Sequence, residues 1–166
     1  MMLYILRHGV AEDAPPGVDD GERRLTPRGR EKLRGVVAGI RAMRLQLDVV
    51  LTSPMARAAE TAEIVAAAYG NRPAPQIVPA LAQGVAPIES ISALKSFENH
   101  DHVMIVGHEP GLSAVAAILL AGAPRGLSLD LKKGGLVGLR LPDGFERAGA
   151  QLCWMFTSRQ LRRIGK

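Results

Sequence analysis

The stretch Leu3-Tyr4-Ile5-Leu6-Arg7-His8-Gly9 constrains this chain more than any other, because an unbroken apolar run rich in β-formers stops abruptly at arginine, histidine and glycine. A run with no polar alternation suits a central parallel strand covered on both faces. In such sheets ligands bind just beyond the carboxyl ends of the strands, so Arg7 and His8 stand where chemistry is expected. Arg-His-Gly alone is only a three-residue pattern, and its weight comes from what the other strand ends carry.

With 166 residues, 47% hydrophobic and 22% charged, the chain is long enough for one full hydrophobic core, and residues 1–166 read as one domain. The lone Cys153 lies in the apolar run Leu152-Cys153-Trp154-Met155-Phe156. It excludes an intrachain disulfide and reads as a small core residue rather than a nucleophile, in keeping with a reducing, cytoplasmic setting. The longest apolar candidate for a membrane span, residues 112–123, is broken by Ser113 and too short, so no membrane partner is expected. A net charge of +5 admits nucleic acid, an anionic small substrate or an acidic protein as partner. Aromatics make up only 4%, no stacking platform accompanies the charge, and Arg28, Arg30, Arg34 and Arg41 are spread over one helix surface, which argues against nucleic acid.

Residues 10–22 are polar and turn-rich, with Pro15-Pro16-Gly17 and Asp19-Asp20-Gly21, and read as a loop above the strand ends. Thr26-Pro27 supplies an N-cap and a first-turn proline, and Leu33, Val36, Val37, Ile40 and Met43 then recur at helical spacing. Residues 48–52 form a second apolar strand, after which Ser53-Pro54 is expected to cap a helix through residue 68. Residues 76–79 are a short strand candidate, and Pro87 opens a helix with Ile88, Ile91, Leu94 and Phe97 on one side. Residues 101–108 repeat the opening design, a strand ending in glycine and histidine, and lead into an apolar helix over 112–120. Residues 136–141 and 150–157 read as antiparallel strands joined by a hairpin at Pro142-Asp143-Gly144, followed by a short basic helix over 159–163. The expected fold is α/β, a three-layer α/β/α domain with a central mostly parallel sheet and an antiparallel edge near the C-terminus.

Three parallel strands thus end in Arg7-His8, in Ser53-Pro54-Met55-Ala56-Arg57 and in Gly107-His108-Glu109-Pro110. Arg57 falls in the first turn of its helix, where the macrodipole disfavours a cation by a few tenths of a kcal/mol to ~1 kcal/mol. A bound dianion would offset that, using the arginine fork together with the free amides of the helix start. An exposed Arg57 paired with Glu60 or Glu63 is the structural alternative. A metal site fits poorly, because the histidines have no local ligand spacing, no third histidine matches them, and arginines repel a cation. A phosphoryl group suits the set better: arginines neutralise its oxygens while one neutral imidazole, His8, attacks phosphorus and the other, His108, donates.

Arg7-His8-Gly9, Leu25-Thr26-Pro27-x-Gly29, Thr52-Ser53-Pro54-x-x-Arg57-Ala58-x-x-Thr61-Ala62 and Val106-Gly107-His108-Glu109-Pro110-Gly111 resemble, in order, the motifs of the histidine phosphatase (phosphoglycerate mutase-like) superfamily. The short length, Asp20-x-Glu22-Arg23-x-Leu25-Thr26 and Leu152-x-Trp154 resemble the SixA-type phosphohistidine phosphatase branch. The resemblance implies a covalent phosphohistidine on His8, then hydrolysis by water, with Arg7, Arg57 and His108 holding the phosphate and no metal or cofactor. Adjacent guanidinium charges should depress the pKa of His8. Mutases and many ester phosphatases of the superfamily carry an acid after the short strand, where this chain has Leu81-Ala82-Gln83-Gly84. Glu12 and Glu89 are the candidate substitutes, each otherwise a surface or first-turn acid.

A mutase is thereby disfavoured, and the expected activity is phosphohistidine hydrolysis, with a phosphorylated protein or a small phosphorylated molecule as partner. The rivals are a small-molecule phosphomonoesterase using Glu12 or Glu89, and a phospho-ligand binding protein without turnover. Retention of both histidines and both arginines argues against the binder, which needs no nucleophile.

Overall fold

The protein is described from a computed structural model over residues 1–14, 17, 19–70 and 73–166. Pro15 and Pro16 of the expected turn lie outside the described residues. Along the chain the elements are β1 (Met2–Arg7), α1 (Pro27–Ala42), β2 (Val49–Thr52), α2 (Ala56–Ala68), β3 (Pro75–Ile77), α3 (Pro87–Leu94), β4 (His102–Gly107), α4 (Gly111–Ala121), β5 (Leu136–Arg140), β6 (Gln151–Phe156) and α5 (Ser158–Ile164). Short 3-10 turns occupy Asp20–Glu22, Pro79–Leu81 and Lys95–Phe97.

The strands form one sheet in the order β3-β2-β4-β1-β5-β6. β3, β2, β4 and β1 run parallel, and β5 and β6 add antiparallel strands at one edge. The unbroken apolar runs are explained by burial on both faces. Leu3, Ile5, Val49, Leu51, Val103 and Ile105 pack on one side with residues of α3 and α4, including Ile91, Leu94 and Leu112. Tyr4, Leu6, Val50, Met104 and Val106 point to the other side, against Leu33, Val37, Ile40 and Val65 of α1 and α2 and Leu161 of α5. Each strand therefore alternates between two cores rather than between core and water. The resulting three-layer α/β architecture is the expected one.

Local chemistry sets the helix ends. Thr26 accepts from the Gly29 amide at 2.9 Å and Pro27 starts α1, as its sequence predicts. Gly122, at φ 78°, ends α4 in the left-handed conformation that favours glycine. Gly39 lets α1 and α5 touch, since a Cβ there would lie 2.1 Å from the Leu161 carbonyl oxygen.

Three local expectations are corrected. Ser53 does not cap α2: the helix starts two residues beyond Pro54, at Ala56, with Met55 as its N-cap. Cys153 is exposed rather than in the core, because β6 is an edge strand and an apolar run there is not covered on both faces. Ile88 is exposed while Ile91 and Leu94 of the same helix are buried. The antiparallel strands β5 and β6 pair as expected, joined by residues 141–150.

Candidate active site

Register brings the three strand ends together. β1 and β4 pair with Arg7 opposite Gly107, and the His8 amide donates to the Gly107 carbonyl at 3.1 Å, so His8 and His108 leave the sheet side by side. Their ring centroids are 5.0 Å apart. On the other flank of β4, Thr52 pairs with Val106 and the Ser53 amide donates to the Val106 carbonyl at 3.0 Å, which sets Ser53 beside His108. Thr61 of α2 accepts from the Gly9 amide at 3.1 Å and donates to the Arg57 carbonyl at 2.7 Å, tying the chain after His8 to the helix that carries Arg57.

A hydrogen bond fixes the state of the His8 imidazole. His8 Nδ1 lies 2.7 Å from the Gly9 carbonyl oxygen, which can only accept, so Nδ1 carries the proton and Nε2 keeps a free lone pair. His108 Nε2 lies 2.8 Å from Ser53 Oγ, which already accepts the Met55 amide at 3.2 Å. When the Ser53 hydroxyl donates to Nε2, the neutral ring carries its proton on Nδ1. Burial, assisted by the charges of His108, Arg57 and Arg7, holds the pKa of His8 down to about 3 against the Gly9 bond that raises it. Burial, then Arg57 and Arg7, brings His108 down to about 4. Both rings are neutral at neutral pH. Guanidinium charge contributes as the sequence suggests, but desolvation is the larger cause.

Arg57 is only 2% exposed, although a solvent-facing ion pair with Glu60 or Glu63 was the structural alternative. Its Nη1 donates to the Asp20 carbonyl at 2.6 Å, and its Nη2 to Asp20 Oδ2 and to Gln83 Oε1, both at 2.8 Å. Asp20 also pairs with Arg23 at 2.7 Å, and the Arg23 and Arg57 bonds hold its carboxyl below the usual range. Glu60 is engaged elsewhere, accepting from Arg30 at 2.9 Å and from the Leu25 amide at 2.9 Å. Arg7 Nη1 donates to the Leu131 carbonyl at 2.9 Å.

Among the described residues, the buried side-chain polar atoms without a hydrogen-bond partner are Arg7 Nε, His108 Nδ1 and Glu109 Oε1. All three belong to the rim formed by the ends of β1 and β4. A folded protein rarely leaves such atoms unmatched, since each orphan costs about 1–3 kcal/mol. Orphaned donors beside a lone-pair nitrogen can hold an oxyanion and present a nucleophile to it.

Arg7, His8, Arg57 and His108 therefore come together as the sequence motifs anticipate, whereas Glu12 and Glu89 are exposed. Glu12 is exposed, and its backbone donates to the Arg24 carbonyl and accepts from Arg23 Nε. Glu89 is exposed on α3 and does not line the neighbouring cavity. Ser53, Asp20, Gln83 and Glu109 are the members that motif reading left unassigned. Asp20, Ser53 and Glu109 stand within the motifs quoted from the sequence and Gln83 in the segment after the short strand, but none was given a role in the site there. Among the described residues no group of three or more His, Cys, Asp or Glu is placed to hold a metal ion.

Comparison with known proteins agrees with this geometry. The profile of the histidine phosphatase superfamily (branch 1) matches residues 3–83, which include Arg7, His8 and Arg57. An uncharacterized protein of Picosynechococcus sp. is 37% identical over 146 residues, covering 84% of this chain and 85% of that one. The fold matches the protein histidine phosphatase SixA, solved with tungstate, at a TM-score of 0.83, with 21% identity over 97% of this chain and 99% of SixA. The alpha-ribazole phosphatase from Shigella flexneri matches at 0.75, with 18% identity over 95% and 97%. With its matching profile, motif order and superimposable fold, the chain belongs to the histidine phosphatase superfamily.

Proposed function

We propose that this histidine phosphatase hydrolyses phosphohistidine, carried on a phosphorylated protein, through a covalent phosphohistidine on His8. The observation that carries the reading is the neutral His8 ring, with Nδ1 anchored and Nε2 free, beside the orphaned donors Arg7 Nε and His108 Nδ1. Nε2 attacks phosphorus in line as the P–N bond to the substrate imidazole breaks. Arg7, Arg57 and His108 stabilise the charge on the phosphoryl oxygens. Water then cleaves the P–N bond to His8, releasing inorganic phosphate. No step requires a metal.

The leaving group decides the substrate class. An alkoxide, whose conjugate acid has a pKa near ~15.7, needs a general acid worth roughly 10²- to 10⁴-fold. An imidazole is protonated readily near its own pKa of about 6.5 and departs without one. Glu12 and Glu89 are both exposed and neither lines the cavity beside His108, which weighs against the acids that a phosphomonoesterase was expected to use. The likeness to SixA supports the same class, and the tungstate in that structure is a tetrahedral oxyanion of the kind the orphaned donors here would accept.

The test is a substrate panel. Phosphohistidine peptides should be hydrolysed with kcat/KM at least roughly tenfold above simple alkyl phosphates, and Glu12→Gln and Glu89→Gln should change the phosphohistidine rate little. A simple alkyl phosphate turned over faster than phosphohistidine would reject this substrate class.

A further inference from the structure

We propose that a basic strip running from the end of β1 across α1 to α5 is the docking face for the substrate protein, and that this partner presents its phosphohistidine beside an acidic surface. This docking role rests on the phosphohistidine reading above and adds what recognises the rest of the substrate. The strip begins at the backbone of the nucleophile. The Gly134 amide donates to the His8 carbonyl at 3.1 Å, which sets Lys133 next to the strand end. The Thr26 amide donates to the Val10 carbonyl at 3.0 Å, and a Cβ on Gly29 would lie 2.1 Å from that same oxygen. The first turn of α1, with Arg28, is therefore packed on the chain just beyond His8. Ser158, at the start of α5, meets Gly134 closely, since a Cβ there would stand 3.4 Å from the Ser158 Cβ.

These contacts line up the cations. A small crevice bordered by Gly9, Lys32, Lys133 and Ser158 joins, through Lys32, a cleft of about 390 Å³ bordered by Arg28, Glu31, Lys32, Arg162 and Lys166. Arg28, Lys32, Lys133, Arg162 and Lys166 thus stand against Glu31. Among the described residues none of those five cations forms an ion pair, whereas Arg23, Arg24, Arg30 and Arg57 are paired with Asp20 or Glu60. The first turn of α1 holds Arg28 and no acid, although the helix dipole favours an acid there. Like charges gathered without partners repel one another, and an anionic surface laid across them relieves that repulsion.

Charge also decides the occupant. A second copy of the chain would bring more positive charge, since each carries +5. Nucleic acid fits less well, because no aromatic side chain borders either cleft to stack a base. From Arg28 to Gly35 α1 advances about 10 Å, so a few carboxylates beside the phosphohistidine are enough to cover it. The contact acts before chemistry: it steers encounter and holds the carrier protein at the rim, while Arg7, Arg57 and His108 receive the phosphoryl group itself.

Two phosphohistidine peptides of equal length, one with glutamates and one with glutamines flanking the histidine, test the strip. At about 0.1 M salt the glutamate peptide should be hydrolysed with kcat/KM at least roughly tenfold above the glutamine peptide. That advantage should shrink below about threefold at about 1 M, where the Debye length has fallen from about 10 Å to about 3 Å. In Lys32→Glu/Lys133→Glu/Arg162→Glu the advantage should vanish already at the lower salt. The milder Lys32→Gln/Lys133→Gln should reduce it at least about twofold, which serves if the triple variant does not fold. Equal kcat/KM for the two peptides in wild type, or an advantage that survives the charge reversals in a folded variant, would overturn the proposal. A single-stranded oligonucleotide that binds wild type more tightly than the unphosphorylated glutamate peptide, and is released by the same variant, would assign the strip to nucleic acid and overturn it too. Failure of the phosphohistidine reading looks different: both peptides stay intact while alkyl phosphates are consumed. Fluorescence anisotropy of the labelled, unphosphorylated glutamate peptide then still decides the strip, since wild type should bind it and the triple variant should not, and equal binding would reject the docking face.

Discussion

The two ends of β4 carry histidines in opposite circumstances. His102, at its start, is held by Tyr4: the hydroxyl lies 3.1 Å from Nδ1, the rings stack, and Trp154 stacks on the far side of Tyr4. His108, just beyond its end, keeps a buried Nδ1 with no partner and shares its rim with two further orphaned atoms. One end of the sheet is closed by aromatic packing and matched polar groups. The other leaves polar valences unfilled inside an otherwise well-packed interior, an arrangement that stability alone would select against and that a ligand would complete.

The sharpest way to test this contrast is to remove the nucleophile from the open end. His8→Ala should lower phosphohistidine turnover by more than about 10⁴-fold, since nucleophile deletions behave this way elsewhere. Rapid mixing of wild type with substrate should leave an acid-labile, base-stable phosphoryl group on His8. Label on Cys153 or an aspartate would erase the distinction between the two ends.

Next in size is Arg57→Ala, expected to slow turnover by roughly 10²- to 10³-fold, as loss of one preorganised donor does. Its macrodipole position alone suggests that stability should not suffer. Burial at 2% exposure and the bonds to Asp20 and Gln83 reverse that expectation. The melting temperature should fall, by an amount corresponding to about 1–2 kcal/mol, because Asp20 is partly solvated and recovers some hydration. An unchanged melting temperature would mean that Arg57 is free in solution.

A third measurement uses pH. His8 and His108 are held at about 3 and about 4 in the folded protein, against about 6.5 in the unfolded chain. Below ~6.5 the unfolded chain binds protons that the folded rings refuse, so this contribution is full above ~6.5 and is lost as pH falls toward the folded values. Melting temperature should therefore drop between pH 7 and pH 5 more steeply in wild type than in His8→Asn/His108→Asn. Parallel slopes would show that the rings titrate normally.

The smallest effect belongs to the closed end. Tyr4→Phe removes the hydroxyl facing His102 and should cost about 1 kcal/mol of stability with turnover within twofold of wild type. A tenfold loss of turnover would couple the two ends and break the comparison.

How much of this was readable in advance depends on distance along the chain. The strands and α1 were legible because apolar runs, a capping threonine and helical spacing are local signals, and the strand-end motifs located Arg7, His8, Arg57 and His108. The reach of Asp20 to Arg57, across 37 positions, depends on how a polar loop settles, which no periodicity reports. Ser53 was misread as a cap because serine-proline before a helix looks the same whether the hydroxyl serves the helix or a histidine 55 positions away.

The position of β1 within the sheet has a consequence for biosynthesis. Its hydrogen-bonded neighbours are β4 and β5, at His102–Gly107 and Leu136–Arg140, so β1 leaves the ribosome well before its partners, which are encoded much later. Until those segments emerge, His8 hangs on an unpaired strand in water, with an ordinary basicity and no guanidinium or imidazole beside it. The lowered basicity of His8 is thus a property of the finished sheet, and a nascent or truncated chain carries the residue without that environment.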